Sequence, residues 1–202
     1  MSFGEYYDLV PKDPAANLRF REDLLLMGGS DRKAAEELFI MCSRDLLFYV
    51  NAFCWTYDPR VGDGTLPFLT YEFQDESLLA IDSAIGSHDL LIKKSRDMGA
   101  SWMLLTVFEW RWHFRNSQSF LLVSRNEDYV DKAGNPKSLF WKIDFIHKFL
   151  PGWMLPRTTR TKLRLTNEDN GSSIDGESTT GDVARGDRRT AIGLDEFAAF
   201  DV

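Results

Sequence analysis

The stretch Asp89-Leu90-Leu91-Ile92-Lys93-Lys94-Ser95-Arg96-Asp97-Met98-Gly99-Ala100-Ser101 decides how this chain is read. Asp89 to Lys93 is a short apolar run of strand type, and a helical pattern begins at Ala100 and continues to Arg115. Between them, Lys94 to Ser101 has the length of the phosphate loop G-x-x-x-x-G-K-[ST]. That loop sits between a buried strand and a helix, so that backbone N–H groups and the helix N-terminus face phosphates. Gly99 matches the second glycine and allows close backbone approach, and the Ser101 hydroxyl is placed to ligate Mg²⁺. Two positions depart from the pattern: Lys94 stands where the first glycine belongs, and Ala100 where the lysine belongs. The chemistry still needs a cation near the β- and γ-phosphates, and Lys94, at the opposite end of the same loop, can turn its ammonium inward to supply it.

Outward from this loop, short apolar runs alternate with helical patterns. Strands are predicted at Asp89 to Lys93, Ser119 to Ser124 and Thr190 to Leu194, and helices at Ala100 to Arg115 and Pro136 to Leu150. The alternation predicts an α/β fold with a mostly parallel sheet flanked by helices, in the manner of a P-loop (RecA-like, ASCE) NTPase core. Lys162 to Thr166 and Ser172 to Asp175 flank Asn167-Glu168-Asp169-Asn170-Gly171, whose Asn-Gly end predicts a hairpin turn. Before His88 the chain is helical in pattern. From Ser30 as N-cap, Ala35, Leu38, Phe39, Cys42, Leu46, Val50 and Phe53 predict one buried helical face. The turn residues Asp58 to Gly64 then predict an exposed loop, followed by the aromatic-rich run Leu66 to Gln74 and a helix from about Asp75 to Ile85. The expected division is a helical N-terminal region over 1–65 and a nucleotide-binding core over 66–202.

A second motif stands on the last predicted strand, Ala191-Ile192-Gly193-Leu194-Asp195-Glu196. An aspartate at a strand's carboxyl end can hold Mg²⁺ through its water shell, and the next glutamate can polarise an attacking water as general base. The ligand crevice of an open α/β sheet lies at the carboxyl ends of its strands, so the loop and the acidic pair are expected to converge there. Alone, such a pair is more often a solvated cap; the combination is the specific signal.

The chain has 202 residues, 44% hydrophobic and 13% aromatic, enough for one substantial core. Its formal charge of −7 gives no general attraction to nucleic acid, so a DNA contact would need a local basic patch. No apolar run reaches the roughly 18 residues of a membrane span, and the amino end lacks signal-peptide character, so a soluble cytoplasmic protein is expected. Cys42 and Cys54 have no metal-ligand spacing with His88, His113 and His147, and are read as buried free thiols.

With both motifs on the page, the chain resembles the large terminase subunit of tailed bacteriophages, the ATPase and nuclease of the genome-packaging motor. The similarity runs from about Phe48. It includes the aromatic run ending in Gln74, the loop Lys94 to Ser101, Val123-Ser124-Arg125, Ala184-Arg185-Gly186 and Leu194-Asp195-Glu196-Phe197-Ala198. A loop that begins with lysine and lacks the late one occurs in some terminases. The resemblance implies ATP and Mg²⁺ as cofactors. It places nucleotide contacts on Gln74 and on Lys94, Ser95, Arg96, Asp97, Met98, Gly99, Ala100, Ser101 and Trp102, Mg²⁺ on Ser101 and Asp195, and catalysis on Glu196, Lys94 and Arg96. Gln74 would read the adenine edge; for Tyr71 and Phe73 beside it, core packing is expected over stacking on the base. Arg96 has two readings, a phosphate or transition-state contact and a salt bridge to Asp97 or a neighbour.

Arg125 and Arg185 are candidate trans-acting arginines, with a solvated side chain as the alternative for Arg125. Arg157, Arg160, Lys162 and Arg164 either make a cationic strand face for DNA or an ordinary solvated one. The implied partners are double-stranded DNA, the portal protein and procapsid, the small terminase subunit and further copies in a ring, in the cytoplasm of an infected bacterium, with no membrane. The family continues past its acidic strand into a nuclease domain, whereas this sequence ends at Val202, six residues after Glu196, so no DNA cleavage is expected of it. Two other readings stay open: a helicase-like ATPase, favoured by Gln74, and a truncated nucleotide- or partner-binding module without turnover, favoured by Ala100.

Overall fold

The apolar run Phe120-Leu121-Leu122-Val123 lies in β3 (Ser119–Ser124), where all four side chains are fully buried. β3 is paired on both edges, in parallel with β6 (Ser173–Ser178) and with β7 (Ala191–Leu194). β4 (Thr158–Thr161) and β5 (Arg164–Asn167) extend the sheet beyond β6, both in antiparallel pairing, giving the order β4-β5-β6-β3-β7. The fold is thus α/β, but the sheet is mixed where a mostly parallel one was expected. The computed structural model describes residues 4–95, 97–179 and 188–196.

The chain divides into two compact units, Met1–Leu79 with Phe145–Leu155, and Ala80–Asp144 with Pro156–Val202. In the first, three helices follow one another: α1 (Pro14–Ser30), α2 (Arg32–Arg44) and α3 (Leu46–Phe53). The long helix expected from Ser30 is in fact two. Ser30 closes α1, Asp31 caps α2, and Asp45 separates α2 from α3. The carboxylate of Asp45 accepts the backbone N–H of Phe48 at 2.9 Å and those of Tyr6 and Tyr7 at 2.8 Å, an arrangement that a helix interior does not offer it. α3 is buried throughout, whereas Phe39 of α2 is exposed.

β1 (Trp55–Tyr57) and β2 (Thr65–Pro67) form an antiparallel hairpin whose turn is the predicted loop Asp58 to Gly64. A buried polar network fixes this unit. Asn51 Oδ1 accepts from Thr70 N–H and Lys12 Nζ at 3.0 Å each, and Asp75 accepts from the hydroxyls of Tyr7 and Thr70. Burial, reinforced by the Asp75 carboxylate, raises the Tyr7 phenol well above its ordinary range. Cys42 and Cys54 are buried thiols that are not joined in a disulfide, as expected.

In the second unit, α5 (Ala100–Phe114) packs Leu105, Phe108 and Trp112 into one core with Phe120 and Leu122 of β3, Val130 of α6 (Glu127–Val130), and Leu139, Phe140 and Ile143 of α7 (Leu139–Phe149). Glycines let the layers close. A Cβ on Gly176 of β6 would lie 2.5 Å from Val130 Cγ1 and 2.8 Å from Phe140 Cε2. The predicted Asn-Gly turn joins β5 to β6 and also ends α5. The amide of Asn167 donates to Trp112 O at 3.2 Å, that of Asn170 to the same oxygen at 2.9 Å, and Ser172 Oγ to Arg115 O at 2.7 Å.

The predicted strand Asp89 to Lys93 does not form. The segment has no regular structure, and Leu90, Leu91 and Ile92 are exposed. A strand exists through its ladder, and no described strand pairs with this one. α4 (Glu72–Ala84) matches the helix expected from about Asp75. Among the described residues, no helix is long and apolar enough to cross a membrane.

Candidate functional site

Two segments 94 residues apart in sequence meet at one point, where Ser101 Oγ donates to Asp195 Oδ1 at 2.7 Å. Gly99 is the N-cap of α5, with a φ of +77° readily adopted only without a Cβ, and no side chain caps the helix. Its hydrogen-bond ladder starts with Met103 N–H to Gly99 O at 3.0 Å, so the N–H groups of the first turn lie ahead of it, at the positive end of the helix dipole. Asp195 follows β7, whose position is fixed by parallel pairing with β3 and by Asp195 N–H donating to Val123 O at 2.9 Å.

The loop before α5 is open to solvent. Lys94, Ser95 and Asp97 are exposed, and Met98, Gly99, Ala100, Ser101 and Trp102 are half-buried. Asp97 holds a φ of +61° and Glu196 one of +55°, so a non-glycine residue in the left-handed region stands at each of the two motifs. A hydroxyl and a carboxylate in hydrogen-bond contact are hard oxygen donors of the type Mg²⁺ accepts alongside water, and so fit the expected ion. Among the described residues no group of three or more His, Cys, Asp or Glu forms a metal cage, so most ligands of an ion here would be water or substrate oxygens.

Arg125, one residue beyond β3, lies in the site of its own chain. Its Nε is 3.5 Å from Glu196 Oε2, and its guanidinium lies 4.1 Å from the centroid of the Tyr129 ring. Thr179 holds the backbone beneath it, with its N–H on Ser124 O and its Oγ1 on Arg125 O, both at 3.2 Å. Arg96 and Arg185, with Ala184, Gly186, Phe197 and Ala198, lie outside the described residues.

Sequence reasoning missed Lys142. This lysine of α7 is buried, and its Nζ donates to the carbonyls of Lys137 and Ser138 at 3.0 and 3.3 Å. Burial lowers its pKa to about 8, while the negative charges of Asp195 and Glu196 act to raise it, so the lysine contributes to the field at the acidic pair. A lysine among the apolar residues of an amphipathic helix carries no mark that separates it from a solvated one.

The basic group is not one cationic strand face. Arg157 precedes β4, Arg160 lies in it, Lys162 and Leu163 make the turn, and Arg164 opens β5. Each cation has an acid partner: Arg157 with Asp169, Arg160 with Asp131 and Asp144, Lys162 with Glu127, and Arg164 with Asp175. Arg160 also lies 4.5 Å from the centroid of Phe140, and its two carboxylates outweigh its partial burial to raise its pKa.

In the first unit, Gln74 is buried at the start of α4, and its Oε1 accepts the N–H of Tyr71 at 3.1 Å. Tyr71 and Phe73 are not core residues, contrary to expectation. Both are exposed and stack on each other with centroids 5.9 Å apart and an interplanar angle of 7°. No protein-family model matches this chain, and no curated protein matches it either.

Proposed function

We propose that this chain is the ATP-hydrolysing part of a viral DNA-packaging motor, of the large-terminase-subunit kind, acting on ATP with Mg²⁺. The observation that carries the nucleotide reading is the Ser101–Asp195 hydrogen bond. It joins the start of an uncapped helix to the end of a parallel strand, the pairing of hydroxyl and carboxylate that Mg²⁺ of a bound nucleotide requires. In this reading Lys94 and Arg96 meet the phosphates and Ser101 holds Mg²⁺ directly. Asp195 holds it through water, Glu196 orients the attacking water, and Gln74 reads the adenine edge. The motor function, with double-stranded DNA, portal, procapsid, small subunit and ring assembly, rests on the sequence resemblance.

The site's chemistry is phosphoanhydride hydrolysis. Water deprotonated toward Glu196 would attack the γ-phosphorus, and the bond to the β-γ bridging oxygen would break, leaving ADP and inorganic phosphate. Arg125 Nε lies 3.5 Å from Glu196 Oε2, so a cation stands beside the proposed general base.

The Arg125–Glu196 contact and Ala100 also favour a second reading, a module that binds nucleotide without turnover. Mg²⁺-dependent binding of a fluorescent ATP analogue, with an ATPase assay, tests both on the unmodified chain and on Lys94→Ala, Ser101→Ala and Glu196→Gln. Binding should be lost in the first two and kept in the third, with turnover abolished in all. Binding that survives both Lys94→Ala and Ser101→Ala would sink the site. Binding without hydrolysis by the unmodified chain would select the second reading. Dependence of turnover on procapsids would separate packaging from unwinding.

A further inference from the structure

The sequence holds a single Asn-Gly pair, Asn170-Gly171, at the turn between β5 and β6. Such a pair carries a reaction of its own, because glycine puts no side chain in the way of its nitrogen. Gly171 N attacks Asn170 Cγ, the new N–Cγ bond forms as the Cγ–Nδ2 bond breaks, and the amide proton leaves with Nδ2 as ammonia. Water then opens the succinimide ring at one of its two carbonyl carbons. The product is aspartate, or isoaspartate with the side-chain methylene in the backbone. Water is the sole co-reactant, and a neutral amide becomes a carboxylate.

In this fold every polar atom of that amide is in use. Asn170 Nδ2 donates to Trp112 O at 2.9 Å and to His113 O at 3.1 Å, and Oδ1 accepts the N–H of Ser172 at 2.9 Å. The backbone carbonyl of Asn170 accepts the N–H of Ser117, and Gly171 N–H donates to Asn167 O, both at 2.9 Å. Trp112 and His113 lie in the last turn of α5, where carbonyls lack partners within the helix. Asn170 therefore clasps the end of α5 to the hairpin. While the clasp is closed, the side chain is fixed on three partners and the attacking nitrogen on a fourth, so the pair reacts only as this junction opens.

We propose that Asn170 is a modification site gated by the fold, and that its conversion to aspartate or isoaspartate releases the carboxyl end of α5. An ionised carboxylate has no hydrogen to donate, so both bonds to Trp112 O and His113 O are lost and oxygen faces oxygen. The new negative charge also sits at the negative end of the helix dipole. The isoaspartate form additionally displaces the carbonyl that holds Ser117. Hydrolysis of the amide runs one way, so each conversion leaves a lasting mark on a chain whose α5 end has opened. The inference stands apart from nucleotide binding.

The test incubates the whole chain at neutral pH, folded and in urea, and follows residue 170 by peptide mapping and isoaspartate-specific methylation. Conversion should be slower in the folded chain by about tenfold or more. Asn170→Asp reproduces one product directly. In hydrogen–deuterium exchange it should speed the amides of Arg115 and Ser117 by about tenfold and leave α1 to α3 unchanged. Asn170→Ser, which loses both donors without gaining a charge, should speed them less and serves where the aspartate variant does not fold. Equal conversion rates in the folded and urea-unfolded chain would overturn the gate. Exchange at Arg115 and Ser117 that neither variant alters would overturn the clasp.

Discussion

Lys142 shows what one buried charge does to this molecule. Its folded pKa of about 8 lies below the ordinary lysine range, so between about 8 and about 10.5 the unfolded chain binds the proton and the folded chain does not. Stability must therefore rise with pH through that window, and the cost of charging Lys142 is fully present below it. The difference is on the order of 3 kcal/mol. Chemical denaturation of the unmodified chain and of Lys142→Met at several pH values should show a clearly larger rise in the former; parallel curves would remove the lysine from this role. At the same scale, Ser101, Asp195 and Glu196 were legible because a hydroxyl at a helix start and carboxylates at a strand end are local patterns. Lys142 was not, because its meaning comes from β7, about fifty residues further on.

Among the elements, β3 was readable because four consecutive apolar residues in a short run leave few alternatives to a strand buried on both faces. The β5-β6 hairpin was readable from Asn170-Gly171, and Gly171 indeed holds a φ of +73°. β4 was not readable: Thr158 to Thr161 is a polar edge strand with no apolar alternation. Asp89 to Lys93 failed for the opposite reason, since its composition is that of a strand while its pairing depends on a neighbour that local sequence cannot specify.

The contact between α7 and the sheet rests on Gly176. Gly176→Val places side-chain atoms where Val130 and Phe140 already sit, and should cost about 2 to 3 kcal/mol. A thermal unfolding midpoint within a degree or two of the unmodified chain would contradict this packing.

For the molecule as a whole, charge decides how it meets nucleic acid. The net charge is −7, and the four cations around β4 and β5 are engaged by acids of the same unit. Exposed pairs of this kind add little stability, but they cancel the field a phosphate backbone would feel. Fluorescence anisotropy should therefore find binding to a random DNA duplex at physiological salt no tighter than the roughly 10⁻⁴ M end of non-specific affinities. Replacing Asp131, Asp144 and Asp169 with asparagine should tighten it. Micromolar binding by the unmodified chain that Arg157→Ala and Arg164→Ala remove would restore the strand pair as a DNA contact.

The hydrogen bond between Ser101 and Asp195 has a further consequence, for the order of synthesis. A ribosome adding about 5–20 residues per second needs roughly 5 to 20 s to make the 94 residues between them. For that interval α5 stands without β7, with the side chains of Leu104 and Phe108 that close against Gly193 lacking that cover. The site is therefore completed only once β7 has been made, and a nascent chain stalled before Ala191 would present an uncovered apolar helix to chaperones.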